Sequence, residues 1–120
     1  KVGGVMIKAI YDHLKAKNLN PHFIGQHKGK CEERFCVIKE NTQVPHFNSN
    51  KLGYRIVDII VFVPANSYIQ IEPYVKQIKA AMKELKWLRK TGNETPIITD
   101  DDKKAFTTSI EYQIIKKLEG

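Results

Sequence analysis

The chain has 120 residues, a formal net charge of +7, 42% hydrophobic residues and 28% charged residues. This size fits one domain that can bury a core without disulfide or metal staples. No apolar run approaches the ~20 residues that cross a bilayer, and Lys8 and Asp12 interrupt the apolar N-terminal stretch. The composition therefore predicts neither a membrane span nor a secretory signal peptide, and we expect synthesis in the cytoplasm.

The first predicted element is an α-helix. Behind Met6, apolar residues recur at helical spacing: Ile7, Ile10, Tyr11 and Leu14. The helix is expected to end near Asn18, because Pro21 disfavours helical geometry in the residue before it, Asn20. Residues 1–5 precede this pattern, and we expect a vector-derived or disordered segment there, with residues 6–120 forming a single α+β domain.

Two strands joined by a polar connection are predicted next. Arg34–Glu40 is dense in β-branched and aromatic residues, which is typical of a strand. Leu52–Val63 is the strongest strand candidate, and its apolar residues lie on both faces. Such a strand is either central and covered on both sides, or covered on one side by a partner subunit. The connection Asn41–Lys51 is rich in Asn and is predicted to be an exposed hairpin tip.

The second half of the chain predicts a long helix and two strands. Ile71–Leu88 keeps the 3.6-residue apolar period for about five turns. A short strand candidate at Pro96–Thr99 and an acidic turn at Asp100–Asp102 follow. Phe106–Ile114 alternates apolar and polar residues, as an antiparallel strand with one wet face does. The order α-β-β-α-β-β predicts a mostly antiparallel sheet of about four strands with two main helices packed on it.

Four residues of the metal-ligand type lie close together in the chain: His22, His27, Cys31 and Cys36. Their types suit zinc, but the spacing His-x4-His-x3-Cys-x4-Cys is looser than the tight pairs of structural zinc sites. Cys36 also falls in a predicted strand, where the alternative is a small core residue. We therefore predict no metal and no cofactor. The sequence also lacks a recognisable nucleophile motif or phosphate-binding glycine motif, so no catalytic residue is predicted.

Two features point to binding surfaces. Asp58 is the one carboxylate within the buried strand candidate, and a buried carboxylate must be paired or hydrogen-bonded. A structural or interface role is favoured over a catalytic one. A row of lysines keeps the helical period opposite the apolar stripe: Lys76, Lys79, Lys83, Lys86 and Lys90. The alternatives are a solvated helix surface, or a face for an acidic protein or for phosphates.

The order of elements carries a family resemblance. Its parts are a helix from Met6, a strand beginning Arg34-Phe-Cys-Val-Ile-Lys, the strong strand Gly53–Val63, the long helix Ile71–Leu88, and the segment Ser109-Ile-Glu-Tyr-Gln-Ile after an acidic turn. In size, element order and the general pattern of polar and apolar segments, nearly the whole of residues 6–118 resembles the tail terminator proteins of tailed bacteriophages, prophages and phage-tail-like particles. These are also called tail completion or head–tail joining proteins.

The resemblance implies a homo-oligomeric ring, commonly a hexamer, and no enzyme activity. Such a ring caps the tail tube next to the head, within the virion, and its partners are the tail tube protein and also sheath and head connector proteins. We expect its contact surfaces to include the basic helix face, Asp58, and the loop residues Asn48, Asn50 and Lys51. The alternative is a small basic nucleic-acid-binding module that uses the lysine-rich face of residues 71–90.

Overall fold

The computed structural model describes residues 2–43 and 54–115, with side chains over 6–40 and 55–115. The elements in chain order are α1 (Val2–Ala16), β1 (Pro21–Phe23), β2 (Phe35–Gln43), β3 (Tyr54–Pro64), a 3-10 helix (Ala65–Gln70), α2 (Ile71–Lys83), β4 (Leu88–Glu94), β5 (Ile98–Asp100) and β6 (Ala105–Ile114). The predicted α+β class and its two main helices are confirmed.

The strands form one mixed sheet. Over the described ranges it has six strands in the order β1-β2-β3-β6-β4, and β5 pairs with β6 next to β4. β1 is parallel to β2, and the other pairs are antiparallel. The prediction of about four strands was therefore too low, because it omitted β1 and β4. Neither segment has the dense β-branched composition of β3, so pairing with a neighbour, rather than local propensity, makes each of them a strand.

The first helix follows its predicted stripe, and Ile10 and Leu14 are fully buried. It ends at Ala16, close to the predicted end. Asn18 and Asn20 then take left-handed backbone angles, with φ of 62° and 55°, which asparagine tolerates better than most residues. The helix begins at Val2, four residues before the predicted start. Neither helix within the described ranges is long and apolar enough to cross a membrane.

The second helix is shorter than predicted. It ends at Lys83, and the chain turns with the Leu85 amide donating to the Met82 carbonyl at 2.9 Å before β4 begins. The prediction continued the helix to Leu88 because the apolar period continues that far. In the structure, Leu88 is instead buried opposite Ile114 at the sheet edge. Pairing with β6 supplies both burial and ladder hydrogen bonds, and these override helix propensity.

Both helices pack on the same face of the sheet. The core there joins α1, α2, β2, β3 and β6, and β3 contributes four side chains: Val57, Ile59, Val61 and Val63. The opposite face of β3 carries the other half of its predicted apolar residues. Burial of one apolar side chain contributes about 1.5–3 kcal/mol. The helix-covered core contains many more buried side chains than the cluster on the opposite face, so it contributes more to stability.

The opposite face has no helix over it within the part of the chain that the structure describes. At one end, Phe35 stacks on Phe62 with 4.7 Å between ring centroids, and Cys31 and Ala105 complete this second cluster. The connection between β1 and β2 covers this end, where the Cys31 amide donates to the Lys103 carbonyl at 2.8 Å. Further along the face, Asp58 and Ile60 are half-buried and Ile56 is buried.

Candidate functional site

Four of the five predicted lysines border one depression between α2 and β4: Lys79, Lys83, Lys86 and Lys90. Its wall is formed by three less polar side chains: Met82, Leu88 and Tyr112. We call this set of seven residues the lysine pocket. Its volume is about 370 Å³, which lies within the size range of small-molecule sites.

The lysines reach the pocket from three different backbone settings. Lys79 and Lys83 are four residues apart on α2 and therefore lie on one face of that helix. Lys86 belongs to the turn after α2, and Lys90 lies in β4, where its Cα pairs with that of Tyr112 on β6. The prediction of a single helical row was therefore wrong for Lys86 and Lys90. The turn and the edge strand β4 nevertheless bring Lys86 and Lys90 beside the helix.

Lys76 does not border the lysine pocket. It is exposed on α2 and lines a separate groove with Ile71 and Pro96. It carries the same charge on the same helix, but it lies outside the convergent group. Lys76 therefore offers a matched control for any experiment on the pocket lysines.

Glu94 neutralises part of this charge. Its Oε2 atom lies 2.8 Å from Lys79 Nζ and 3.1 Å from Lys90 Nζ. The hydrogen bond from Lys79, and then that from Lys90, lowers the pKa of Glu94. A register shift in β4 between Lys90 and Glu94 allows the side chains of these two residues to contact each other. Gly92 lies within this shift and has a φ of +95°, which glycine adopts without strain.

Two lysines of the pocket have no counter-ion among the residues whose side chains the structure describes. Lys83 and Lys86 are exposed and form no ion pair with any described residue. Among the described residues, the pocket holds four ammonium groups, and its lysines form ion pairs with one carboxylate, that of Glu94. Its local charge is therefore strongly positive, which attracts anions.

Tyr112 has an unusual buried hydroxyl. The residue is 3% exposed, and its Oη atom has no hydrogen-bond partner among the described residues. Burial, and then the charge of Glu94, raise the pKa of Tyr112. By contrast, the buried hydroxyl of Tyr74 donates to the Leu19 carbonyl at 2.6 Å. An unpaired buried hydroxyl costs about 1–3 kcal/mol and therefore needs an explanation.

Asp58 lies on the helix-free face of the sheet. It is half-buried, and its Cα partners are Lys39 on β2 and Glu111 on β6. The face thus carries one cation and two carboxylates in a row across three strands. Asp58 is on the opposite side of the sheet from Tyr112, so the structure does not bring it into the lysine pocket. The predicted contact residues Asn48, Asn50 and Lys51 lie outside the described residues.

The two cysteines point to opposite sides of the sheet. Cys36 is buried in the helix-covered core, where its thiol approaches the Leu19 carbonyl with 3.7 Å between Sγ and O. Cys31 belongs to the second cluster, beside Phe35. Burial raises the pKa of Cys36 to about 12 and also raises the pKa of Cys31. Both thiols therefore sit in settings that disfavour the thiolate that metals bind.

The two histidines of the same segment make ring contacts. His27 stacks on Phe35 with 3.8 Å between centroids, and His22 meets His27 edge to face at 5.6 Å. The Lys103 ammonium donates to Nδ1 of His27 at 3.0 Å. Across the described ranges, no three His, Cys, Asp or Glu side chains are placed to hold a metal ion.

Sequence reasoning missed Tyr112 and Glu94. Tyr112 was predicted only as an apolar position of the last strand, because nothing in the sequence marks a hydroxyl that lacks a partner. Glu94 follows Gly92-Asn93, which the sequence indicates as a break. That break is the bulge that positions Glu94, so a charged residue just after it was the available signal.

In comparisons with known proteins, no family model, curated protein or solved structure matches this chain. The chemistry of the candidate site therefore follows from its own side chains. Ammonium groups, an apolar wall and a hydroxyl donor are suited to binding an anion.

Proposed function

We propose that this chain is a structural assembly protein of the tail-terminator kind. In this proposal it forms a homo-oligomeric ring, a hexamer by resemblance, that caps a phage tail tube next to the head. Its partners are further copies of itself, the tail tube protein, and the sheath and head connector proteins, and its place is the virion. No enzymatic activity is assigned to it.

The observation that supports this proposal most is the one-sided sheet. β3 carries apolar side chains on both faces, but only one face has helices over it in the described ranges. On the other face, Val37 and Ile60 are half-buried. Strands that are apolar on both faces are normally covered on both. A second copy of the chain is the occupant that the proposal assigns to this face.

The charges on the helix-free face support a second copy as that occupant. Lys39, Asp58 and Glu111 lie in one row across the face, so it holds both signs of charge beside the apolar residues. A surface with both signs can pair with a different surface of a neighbouring copy that also carries both signs. Repeated head-to-tail contacts of this kind close into a ring when the rotation between copies permits.

The experiment measures the mass of the particle in solution by size-exclusion chromatography with light scattering, with and without tail tube protein. Electron microscopy then shows whether rings form. We expect Ile60→Lys to abolish the ring, because it places a charge in the contact face. Ser109 is paired with Ile60 across the strands, so Ser109→Lys places a charge in the same face without removing an apolar side chain, and it should also abolish the ring. Gln77→Lys, on the exposed side of α2, is the control and should leave the ring intact.

Two outcomes would overturn the proposal. One is a monomer at high protein concentration in the presence of tail tube protein. The other is a ring that both face variants leave unchanged while circular dichroism shows them to be folded. A monomer without tail tube protein is expected if the ring closes only on the tube.

The convergence of four lysines favours a second candidate function, a small nucleic-acid-binding module. Lysines that neutralise phosphates give an affinity that falls steeply with salt. Lys83→Glu combined with Lys86→Glu should abolish DNA binding, because these two ammonium groups have no counter-ion in the described part of the chain. Lys76→Glu should weaken binding less. Binding that is absent at moderate salt, or that the double variant leaves unchanged, would exclude this function.

A further inference from the structure

We propose that the lysine pocket binds an anionic group of the phosphate class, held by the ammonium groups of Lys83 and Lys86 and by the hydroxyl of Tyr112. This inference goes beyond the ring assembly and does not depend on it. It also differs from a general attraction to DNA, because it assigns one bounded site and one neutral donor.

The ion pairs already present show how the pocket holds an anion. The Glu94 carboxylate lies between Lys79 and Lys90, within hydrogen-bond distance of both ammonium groups. Half of the pocket's cations therefore already hold an internal carboxylate. The other two, Lys83 and Lys86, border the same depression and form no ion pair within residues 6–40 and 55–115. A bound anion would complete for them what Glu94 does for the first two.

The hydroxyl of Tyr112 is the independent observation. It is the one buried side-chain polar atom in the described ranges that lacks a hydrogen-bond partner, and its side chain lines the pocket. A phenol hydroxyl donates readily to an anionic oxygen. The hydroxyl lies below the surface, so an anion reaches it once a neighbouring lysine side chain moves. Lys83 and Lys86 are exposed and have the rotamer freedom to do so.

The class of anion follows from the number of donors. A phosphate group offers several acceptor oxygens around one centre and up to two charges, so it can accept from two ammonium groups and a hydroxyl at once. The pocket volume of about 370 Å³ exceeds what a phosphate alone fills. Met82 and Leu88 provide an apolar wall for whatever the phosphate is attached to. The shared chemistry is therefore a phosphate, either free in solution or part of a nucleic-acid backbone.

The experiment titrates inorganic phosphate into the full chain at constant ionic strength, with chloride as the balancing salt. Amide chemical shifts measured by NMR report both affinity and location. We expect saturable shifts that centre on Lys83, Lys86 and Tyr112. Lys83→Gln combined with Lys86→Gln should weaken binding about tenfold or more, because hydrogen bonds to charged groups are the strong ones.

Two further variants distinguish a bounded site from surface charge. Tyr112→Phe keeps the charge and the shape and should weaken phosphate binding about threefold or more through the lost donor. Glu94→Gln removes the competing carboxylate and should strengthen binding. Lys76→Gln removes a charge outside the pocket and should change the affinity less than about twofold, because salt screens that exposed charge.

A parallel titration with a short single-stranded oligonucleotide identifies the source of the phosphate. If the oligonucleotide shows the same variant pattern, the site binds backbone phosphates. If only inorganic phosphate does, the site serves a free phosphate compound, and the nucleic-acid candidate loses its support. The inference is overturned if phosphate binding does not saturate. It is also overturned if Lys76→Gln weakens binding as much as the pocket variants, or if folded Tyr112→Phe binds unchanged.

Discussion

Lys79 on α2 and Glu94 at the end of β4 form an ion pair with 2.8 Å between Nζ and Oε2. Lys90 approaches the same carboxylate oxygen at 3.1 Å, so one acidic side chain links the helix to the edge strand that follows it. The side chains of Lys79 and Glu94 are each about one-third exposed, at 33% and 35%. Solvent screening therefore keeps the stabilising contribution of this pair small.

The first prediction concerns Glu94→Gln. Because the two lysines lower the pKa of Glu94 below its ordinary value of 4.5, the stabilisation is present above that pH. It is lost as the pH falls through the folded-state pKa. The variant should reduce the free energy of unfolding at neutral pH by about 1 kcal/mol or less. Urea denaturation at neutral and acidic pH measures this.

The control for this prediction is Glu32→Gln. Glu32 is exposed in the connection between β1 and β2, away from the lysine pocket. We expect this variant to leave the free energy of unfolding unchanged. If the difference between Glu94→Gln and the parent chain does not shrink below pH 4.5, the ion pair does not stabilise the fold as described.

The second prediction compares two buried tyrosines. Tyr74→Phe removes the donor to the Leu19 carbonyl and should lower the free energy of unfolding by about 1–3 kcal/mol. Tyr112→Phe removes a hydroxyl that has no partner in the described ranges and should leave stability unchanged or raise it by about 1 kcal/mol or more. Chemical denaturation of both variants tests the contrast. Equal destabilisation would show that the Tyr112 hydroxyl has an important partner.

The third prediction concerns the pH dependence set by His27. Burial lowers its pKa below the ordinary 6.5, with smaller effects from the charges of Lys103 and His22. The unfolded chain therefore takes up a proton at a higher pH than the folded chain, and stability decreases as the pH falls below 6.5. His27→Phe keeps the ring that stacks on Phe35 but cannot bind a proton. Denaturation midpoints across this pH range should fall less steeply in the variant, and equal slopes would contradict the prediction.

The fourth prediction concerns thiol reactivity. The thiolate is the reactive form, and the raised pKa of Cys36, about 12 against an ordinary 9.0, reduces its thiolate fraction about a thousandfold. Cys31 is also buried and has a raised pKa. In the native chain at neutral pH, neither should react at once with a thiol reagent, and Cys36 should be the slower of the two. Mass spectrometry of the labelled peptides distinguishes them, and rapid native labelling of Cys36 would contradict its placement in the core.

The central strands could be predicted from the sequence, because their patterns reflect burial directly. β3 has apolar residues at every position from Ile59 to Val63, and β6 alternates apolar and polar residues, so each pattern indicates a strand of the sheet. The first helix showed its buried stripe for the same reason. These elements need little knowledge of their neighbours.

The edges of the sheet could not be predicted in this way. β4 contains Gly92 and a majority of polar residues, and it is a strand only because β6 offers a partner. The same competition shortened α2, since Leu88 fits a helical period and a strand equally well. The lysine pocket depends on this turn of the chain. Its convergence from helix, turn and strand was therefore not predictable from helical spacing, although four of its lysines were identified.

The bulge in β4 also affects how the sheet can grow. β4 is an edge strand, and a flat edge offers unpaired backbone groups to strands of other molecules. Here the register shift around Gly92 interrupts that edge, while Arg89 and Lys90 place charges along it. An incoming strand would meet both a distorted ladder and positive side chains. Edge-to-edge pairing of sheets from different copies through β4 is thus disfavoured. Association between copies is expected to use other surfaces.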